Sequence, residues 1–252
     1  MANFNTHLNV ATVLTGLTAA TLLSAEHIDI NSAIALWFLG SIGGLLPDVD
    51  SDNSHSLDII FNLFALSAVF ITIRYITLEW SSELSFVELI AIPLVVYGII
   101  KYLIRPLFEY FTVHRGSCHS LLFLLLAALI TTQVVWRIMP ASSAQSALND
   151  KALMAWLSGG FILLGGLIHL LLDELYSVDL SNVTVKRSFG TAMKLADFDN
   201  KLLTLITVMV IGALAYTAPS PNETINALSD WSKFKLSPSE FGGYFAQLKT
   251  LF

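Results

Sequence analysis

The chain has 252 residues, of which 55% are hydrophobic and 13% charged, with a formal net charge of −6 and a mean hydropathy of +0.69. A soluble domain carries about 25% charged residues, so this composition excludes an ordinary water-soluble globule, and the acidic balance offers no basic surface for nucleic acid. One cysteine, Cys118, excludes an internal disulfide, and without a basic n-region or a small-residue cleavage site the N-terminus does not read as a cleaved signal peptide.

Uncharged blocks recur at 8–25, 30–47, 59–73, 89–100, 120–136, 152–172 (His169 aside) and 202–218. Several approach the ~17–25 residues that cross a hydrocarbon core as a helix. They predict helices over 8–25, 30–46, 57–78, 86–105, 119–139, 153–173 and 202–218, with Gly40, Gly43 and Gly44 interrupting the second. The fold class is all-α: a polytopic transmembrane bundle of about seven helices. Residues 47–56, 106–118 and 140–151 read as loops and 174–200 as a polar stretch. Residues 1–218 form the membrane-embedded domain. The tail, 219–252, mixes turn formers, charges and aromatics, and reads as an extramembrane appendage with an interfacial helix near 223–235.

Counting crossings places loops 47–56, 106–118 and 174–200 on the side where residue 7 begins. That side holds Lys101, Arg105, Arg115, Lys186, Arg187, Lys194 and Lys201, whereas the opposite short loops and helix ends hold Arg74, Arg137 and Lys151. The positive-inside rule makes the first side cytoplasmic, although Lys233, Lys235 and Lys249 in the tail weaken the bias.

The histidines and acids follow the same parity. His7 precedes the first helix. Asp48 and Asp50 follow the second in LLPDVDSDNSHS, with Asp52 and His55 close behind. His114 and His119 flank Gly116 before the fifth, and His169 and Asp173 end the sixth in HLLLD. His27 alone falls on the other side. His169 and Asp173, at i and i+4, share a helical face and can grip one ion, or serve as a helix-end capping pair. Asp48 and Asp50 project from the turn that Pro47 starts; paired carboxylates repel unless a cation sits between them, though an ordinary solvated Asp/Asn/Ser turn has the same composition. In HRGSCHS, Ser120 is a helix cap whose neighbouring amides favour an anion. Arg115 is a fork-shaped donor suited to phosphate, and an interfacial snorkel is the competing reading. Together, four segments deliver His and carboxylate groups to one membrane face, a donor set that suits zinc, manganese or iron.

TH at 6–7, LLPDVD at 45–50, HRGSCHS at 114–120 and HLLLD at 169–173 resemble, in order, the motifs of the YdjM-like membrane-bound metal-dependent hydrolases over roughly residues 1–200. SFGTA at 188–192 resembles a further segment of that family. Cys118 stands where the family usually has Thr, and reads as a small packing residue. The family is similar in turn to zinc-dependent phospholipases C, so the resemblance implies hydrolysis of phosphate esters in lipids or lipid-linked substrates.

The expected centre is therefore a divalent metal site, with zinc the first choice, at the cytoplasmic face of the inner membrane. Its ligands are His7, Asp48, Asp50, His114, His119, His169 and Asp173, with His55 in reserve and Asp50 as a bridging acid. Arg115, Lys186 and Arg187 would bind substrate phosphate beside a metal-activated water, and Asp52 and Glu174 are candidates for acid–base work. Two rivals remain open: a divalent-metal transporter, which needs polar groups near mid-membrane, and a non-catalytic protein stapled by a closed metal site.

Overall fold

All seven predicted segments are helical, and an eighth helix lies in the tail, in the computed structural model, which describes residues 4–50, 54–79, 84–107, 118–139, 145–179, 184–185, 193–196, 198 and 201–235. In chain order they are α1 (Phe4–Ser24), α2 (Ile30–Gly43), α3 (Ser54–Glu79), α4 (Phe86–Ile99), α5 (Leu121–Ile138), α6 (Gln145–Leu175), α7 (Lys201–Thr217) and α8 (Asn222–Ser229). A five-residue 3-10 helix, Leu46–Asp50, follows α2. Among the described residues the sheet content is one antiparallel pair of two-residue strands, β1 (Val178–Asp179) and β2 (Thr184–Val185).

Local chemistry sets the helix ends. Asp29 caps α2 by accepting from the Ser32 N–H at 2.7 Å, and Ser85 with Glu88 forms a capping box on α4, satisfying first-turn amides that lack intrahelical acceptors. Near its other end α4 passes into a π-helical turn, Ile100–Ile104, in which the Arg105 N–H reaches Ile100 O. Pro106 follows directly; its ring crowds the carbonyl four residues back and it has no N–H to continue the ladder, so the preceding turn widens. Hydroxyls inside the apolar helices turn back on their own backbone: Thr15 donates to Ala11 O at 2.7 Å, Thr132 to Ala128 O at 3.0 Å and Ser158 to Met154 O at 2.7 Å. Such closure is what a solvent without hydrogen bonds requires.

Among the described residues four helices are long and apolar enough to cross a membrane, Phe4–Ser24, Phe86–Leu107, Leu121–Ile138 and Asn149–Leu175; α7 and α8, bent by 74° at their junction, make a fifth if taken as one span. At 14 residues, α2 is about 21 Å long, short of a hydrocarbon core of about 30 Å. The apolar part of α3, Phe61–Thr77, is short as well. The stretch 140–151, read as a loop from Pro140, three serines, Asn149 and Asp150, is helical from Gln145 onward. Lys151 is buried there with its ammonium 4.6 Å from the centre of the Trp136 ring, and that cation–π contact replaces the water a loop would have given it. The expected tail helix is present but stops at Ser229.

The organising element is α6, whose apolar window is 56% buried against 6% for α4. It packs on α1, α2, α5 and α8. Glycine lets it approach α2: a Cβ on Gly165 would collide with Gly40 O and Gly44 N, and one on Gly43 with the Ile162 backbone. Where lipid is as apolar as the helix surface, close backbone contact of this kind is a main source of helix association. The glycines that interrupt the second apolar block in sequence are thus its contact surface. Cys118 is buried with Leu45, Val49, Leu57 and Phe61, the packing role its size suggested.

Candidate metal centre

Five of the expected ligands meet at one end of the bundle. His7 lies in the second turn of α1, Asp48 in the 3-10 helix after α2, His119 just ahead of α5, and His169 and Asp173 one turn apart at the end of α6. The 3-10 helix exists because Gly43 and Gly44 end α2 and Pro47 cannot donate to continue it. His119 is fixed by the start of α5: Ser120 Oγ accepts from the Phe123 N–H at 3.2 Å. The Leu121 and Leu122 N–H groups donate to the Lys194 and Leu195 carbonyls, each at 3.0 Å. This corrects the expectation of an anion at those amides, because three first-turn donors already have acceptors.

The donor atoms make a frame. His169 Nε2 lies 3.5 Å from Asp48 Oδ1 and 3.6 Å from Asp173 Oδ2; His119 Nε2 lies 3.6 Å from each of the same two oxygens. Two nitrogens and two oxygens therefore alternate around a ring. Those separations are long for hydrogen bonds, and they are the spacing of co-ligands. Zinc–nitrogen and zinc–oxygen bonds are about 2.0–2.2 Å, so one ion can bridge neighbouring corners separated by such an edge.

His169 Nδ1 is 2.7 Å from Gly44 O. A carbonyl only accepts, so Nδ1 carries the hydrogen, and in a neutral ring Nε2 presents its lone pair to both carboxylates. Lone pair facing carboxylates is repulsive unless a cation lies between them. The His7 ring is stacked on His169, with centroids 3.7 Å apart and planes 11° from parallel. His7 in turn sits with Nε2 3.2 Å from Asp173 Oδ1.

His7, His119, His169 and Asp173 are buried, whereas the Asp48 side chain keeps 24% of its surface, so the frame opens towards Asp48. Burial raises the affinity of the Asp48 carboxyl for its proton, but the three neighbouring imidazoles, His169 first among them, outweigh it and hold the group below the usual carboxylate range. The donors also fall into two overlapping triads, His7–Asp48–His169 and His119–His169–Asp173. His169 has one lone pair to give, since Nδ1 is engaged, so the triads cannot each use it for a separate ion.

A family comparison then decides what kind of chain carries this frame: residues 1–181 match the family described as YdjM inner membrane protein. The chain belongs to that family. The matched span includes all five frame and stacking residues and α1 to α6, so the centre is part of the YdjM domain and not of the tail. No curated protein and no solved structure matches the chain.

The remaining expected residues have separate placements. The Asp50 backbone closes the 3-10 helix and that of His55 lies in α3, their side chains lying outside the described residues, as do Asp52, His114, Arg115, Lys186 and Arg187 entirely. Glu174 is half-buried and belongs to neither triad. His27 is at the far end, edge-on to Trp231 at 5.1 Å. Sequence reasoning missed the Gly44 carbonyl as the group that orients His169; the signal available was the glycine pair directly before LLPDVD.

Proposed function

We propose that this YdjM protein is a multi-pass inner-membrane hydrolase that uses a divalent metal to cleave phosphate esters of lipids or lipid-linked substrates, with its centre facing the cytoplasm. The observation that carries the reading is the orientation of His169: its Nδ1–H is committed to Gly44 O, and its Nε2 faces Asp48 and Asp173 at 3.5 and 3.6 Å.

His119, His169, Asp48 and Asp173 would hold the ion, and mixed imidazole and carboxylate donors suit zinc, with manganese or iron as alternatives. A bound ion supplies Lewis-acid polarisation of a phosphoryl oxygen and an acidified water. His7 holds the second oxygen of Asp173, which fixes the rotamer of that carboxylate. Asp48, at the open side, leaves room for substrate. Arg115, Lys186 and Arg187 remain the candidates for binding its phosphate, and Asp50 a candidate bridging acid.

A stapling metal in a non-catalytic protein is the second reading, favoured by the burial of His7, His169 and Asp173. The test is release of phosphate or phospho-headgroup from a panel of phospholipids by the purified, metal-loaded protein. Turnover abolished by Asp48→Asn supports the hydrolase, and absence of turnover across the panel in metal-replete protein favours the staple.

A further inference from the structure

A second polar group lies between α3 and α4, outside the donor frame. Tyr97, Lys101 and Arg105 recur every four residues along α4 and its π-helical turn, so they share a face, and Asp58 and Asn62 stand opposite on α3. Lys101 Nζ donates to Asn62 Oδ1 at 3.0 Å and to the Tyr97 hydroxyl at 3.3 Å, and Arg105 pairs with Asp58. Around this group α4 is clad in exposed apolar residues, among them Leu94, Tyr102 and Leu103.

The two cations are compensated differently. Arg105 has its carboxylate, whereas the Lys101 ammonium meets two neutral acceptors and, among the described residues, no carboxylate. An ammonium has three donors, which leaves one N–H and a positive charge met only by the Tyr97 ring, 5.6 Å from its centre, at a half-buried position on a largely apolar helix, where a charge without a counter-ion is costly. The neighbouring residue, Ile100, packs on the apolar cluster that contains Val49 and Cys118, chain neighbours of Asp48 and His119. Lys101 thus lies one apolar layer from the donor frame.

We propose that Lys101, backed by Arg105, seats the phosphate of an anionic membrane lipid between α3 and α4. The phosphate supplies the missing negative charge and accepts the remaining Lys101 N–H, and the acyl chains lie along the apolar cladding of α4. Basic pockets between transmembrane helices near the cytoplasmic surface recognise anionic headgroups in this way. The seat goes beyond the hydrolase reading and requires neither metal nor turnover.

The test follows the melting temperature of the full chain in neutral detergent during titration with short-chain phosphatidylglycerol, short-chain phosphatidylcholine or inorganic phosphate. Phosphatidylglycerol raises it in the wild type; the apparent affinity falls about tenfold in Lys101→Gln, as expected for loss of a charge-assisted hydrogen bond, and is kept in Lys101→Arg. A Lys101-dependent response to inorganic phosphate equal to that for the lipid supports the seat, with free phosphate as occupant. Equal responses of wild type and Lys101→Gln, or no response to any of the three, overturn it. Should Lys101→Gln not fold, native mass spectrometry of the wild type with both lipids in competition tests the seat independently: preference for phosphatidylglycerol supports it, and no preference overturns it.

Discussion

The His169 ring and the Gly44 carbonyl meet at 2.7 Å across 125 residues of chain, and this contact decides which nitrogen of His169 faces the carboxylates. It exists because α2 and α6 touch backbone to backbone at Gly40, Gly43, Gly44 and Gly165. Replacing Gly165 by Ala inserts a methyl group against Gly40 O and Gly44 N. The expected outcome is a loss of about 1–3 kcal/mol of stability from overpacking, accompanied by weaker metal retention as the Gly44 carbonyl moves. Thermal unfolding and metal analysis of the same sample check both. A destabilised variant that keeps its metal affinity would separate the helix contact from the centre.

His7 and His169 are stacked, yet they have unequal tasks. If His7 braces Asp173 and is not itself a ligand, His7→Ala weakens metal affinity by about 10–100-fold without abolishing binding. Competition with a chromophoric chelator measures this. Complete loss of metal in His7→Ala would make His7 a ligand, in the His7–Asp48–His169 triad.

Removing metal leaves two carboxylates facing two imidazole nitrogens in a largely buried frame. A ligand present at 100–1,000 times its dissociation constant stabilises the folded state by about 2.7–4.1 kcal/mol. Chelation should therefore lower the melting temperature of the protein, and zinc, manganese or iron added back should restore it. Recovery with calcium alone would point to a different donor chemistry.

The orientation is open to cysteine labelling, because the single native thiol, Cys118, is buried and can be replaced by Ala. Reporter cysteines near residues 50 and 180 should react from the same side of the membrane as each other, and that side should be cytoplasmic. Reaction from opposite sides would break the parity that brings the four segments together.

Much of the centre is legible in the sequence because helix periodicity carries it. HLLLD puts His169 and Asp173 on one face whatever the tertiary structure, and counting apolar blocks places His7, Asp48 and His119 at the same end. What is not legible depends on distances between helices. Nothing in the order of residues says that Gly44 O reaches His169, or that Lys194 and Leu195 accept the first amides of α5. The pairing of Lys101 with Asn62 likewise spans 39 residues. The boundary at 140–151 differs from expectation because Pro140, the serines, Asn149 and Asp150 read locally as turn formers, whereas the chain is helical from Gln145 and Lys151 is sheltered by Trp136. Block counting also yields seven spans where, among the described residues, four or five are both long and apolar enough; α2, for one, runs 14 residues, which apolar composition alone does not report.

Metal content by elemental analysis, compared between the wild-type protein and the His169→Ala, Asp173→Ala double variant, tests the central claim most directly. The frame predicts at least one equivalent of a transition metal in the wild type and loss of that equivalent in the double variant, with the helical circular dichroism retained. A folded double variant with unchanged metal content, or a wild-type protein that binds no transition metal when supplied with it, would contradict the account.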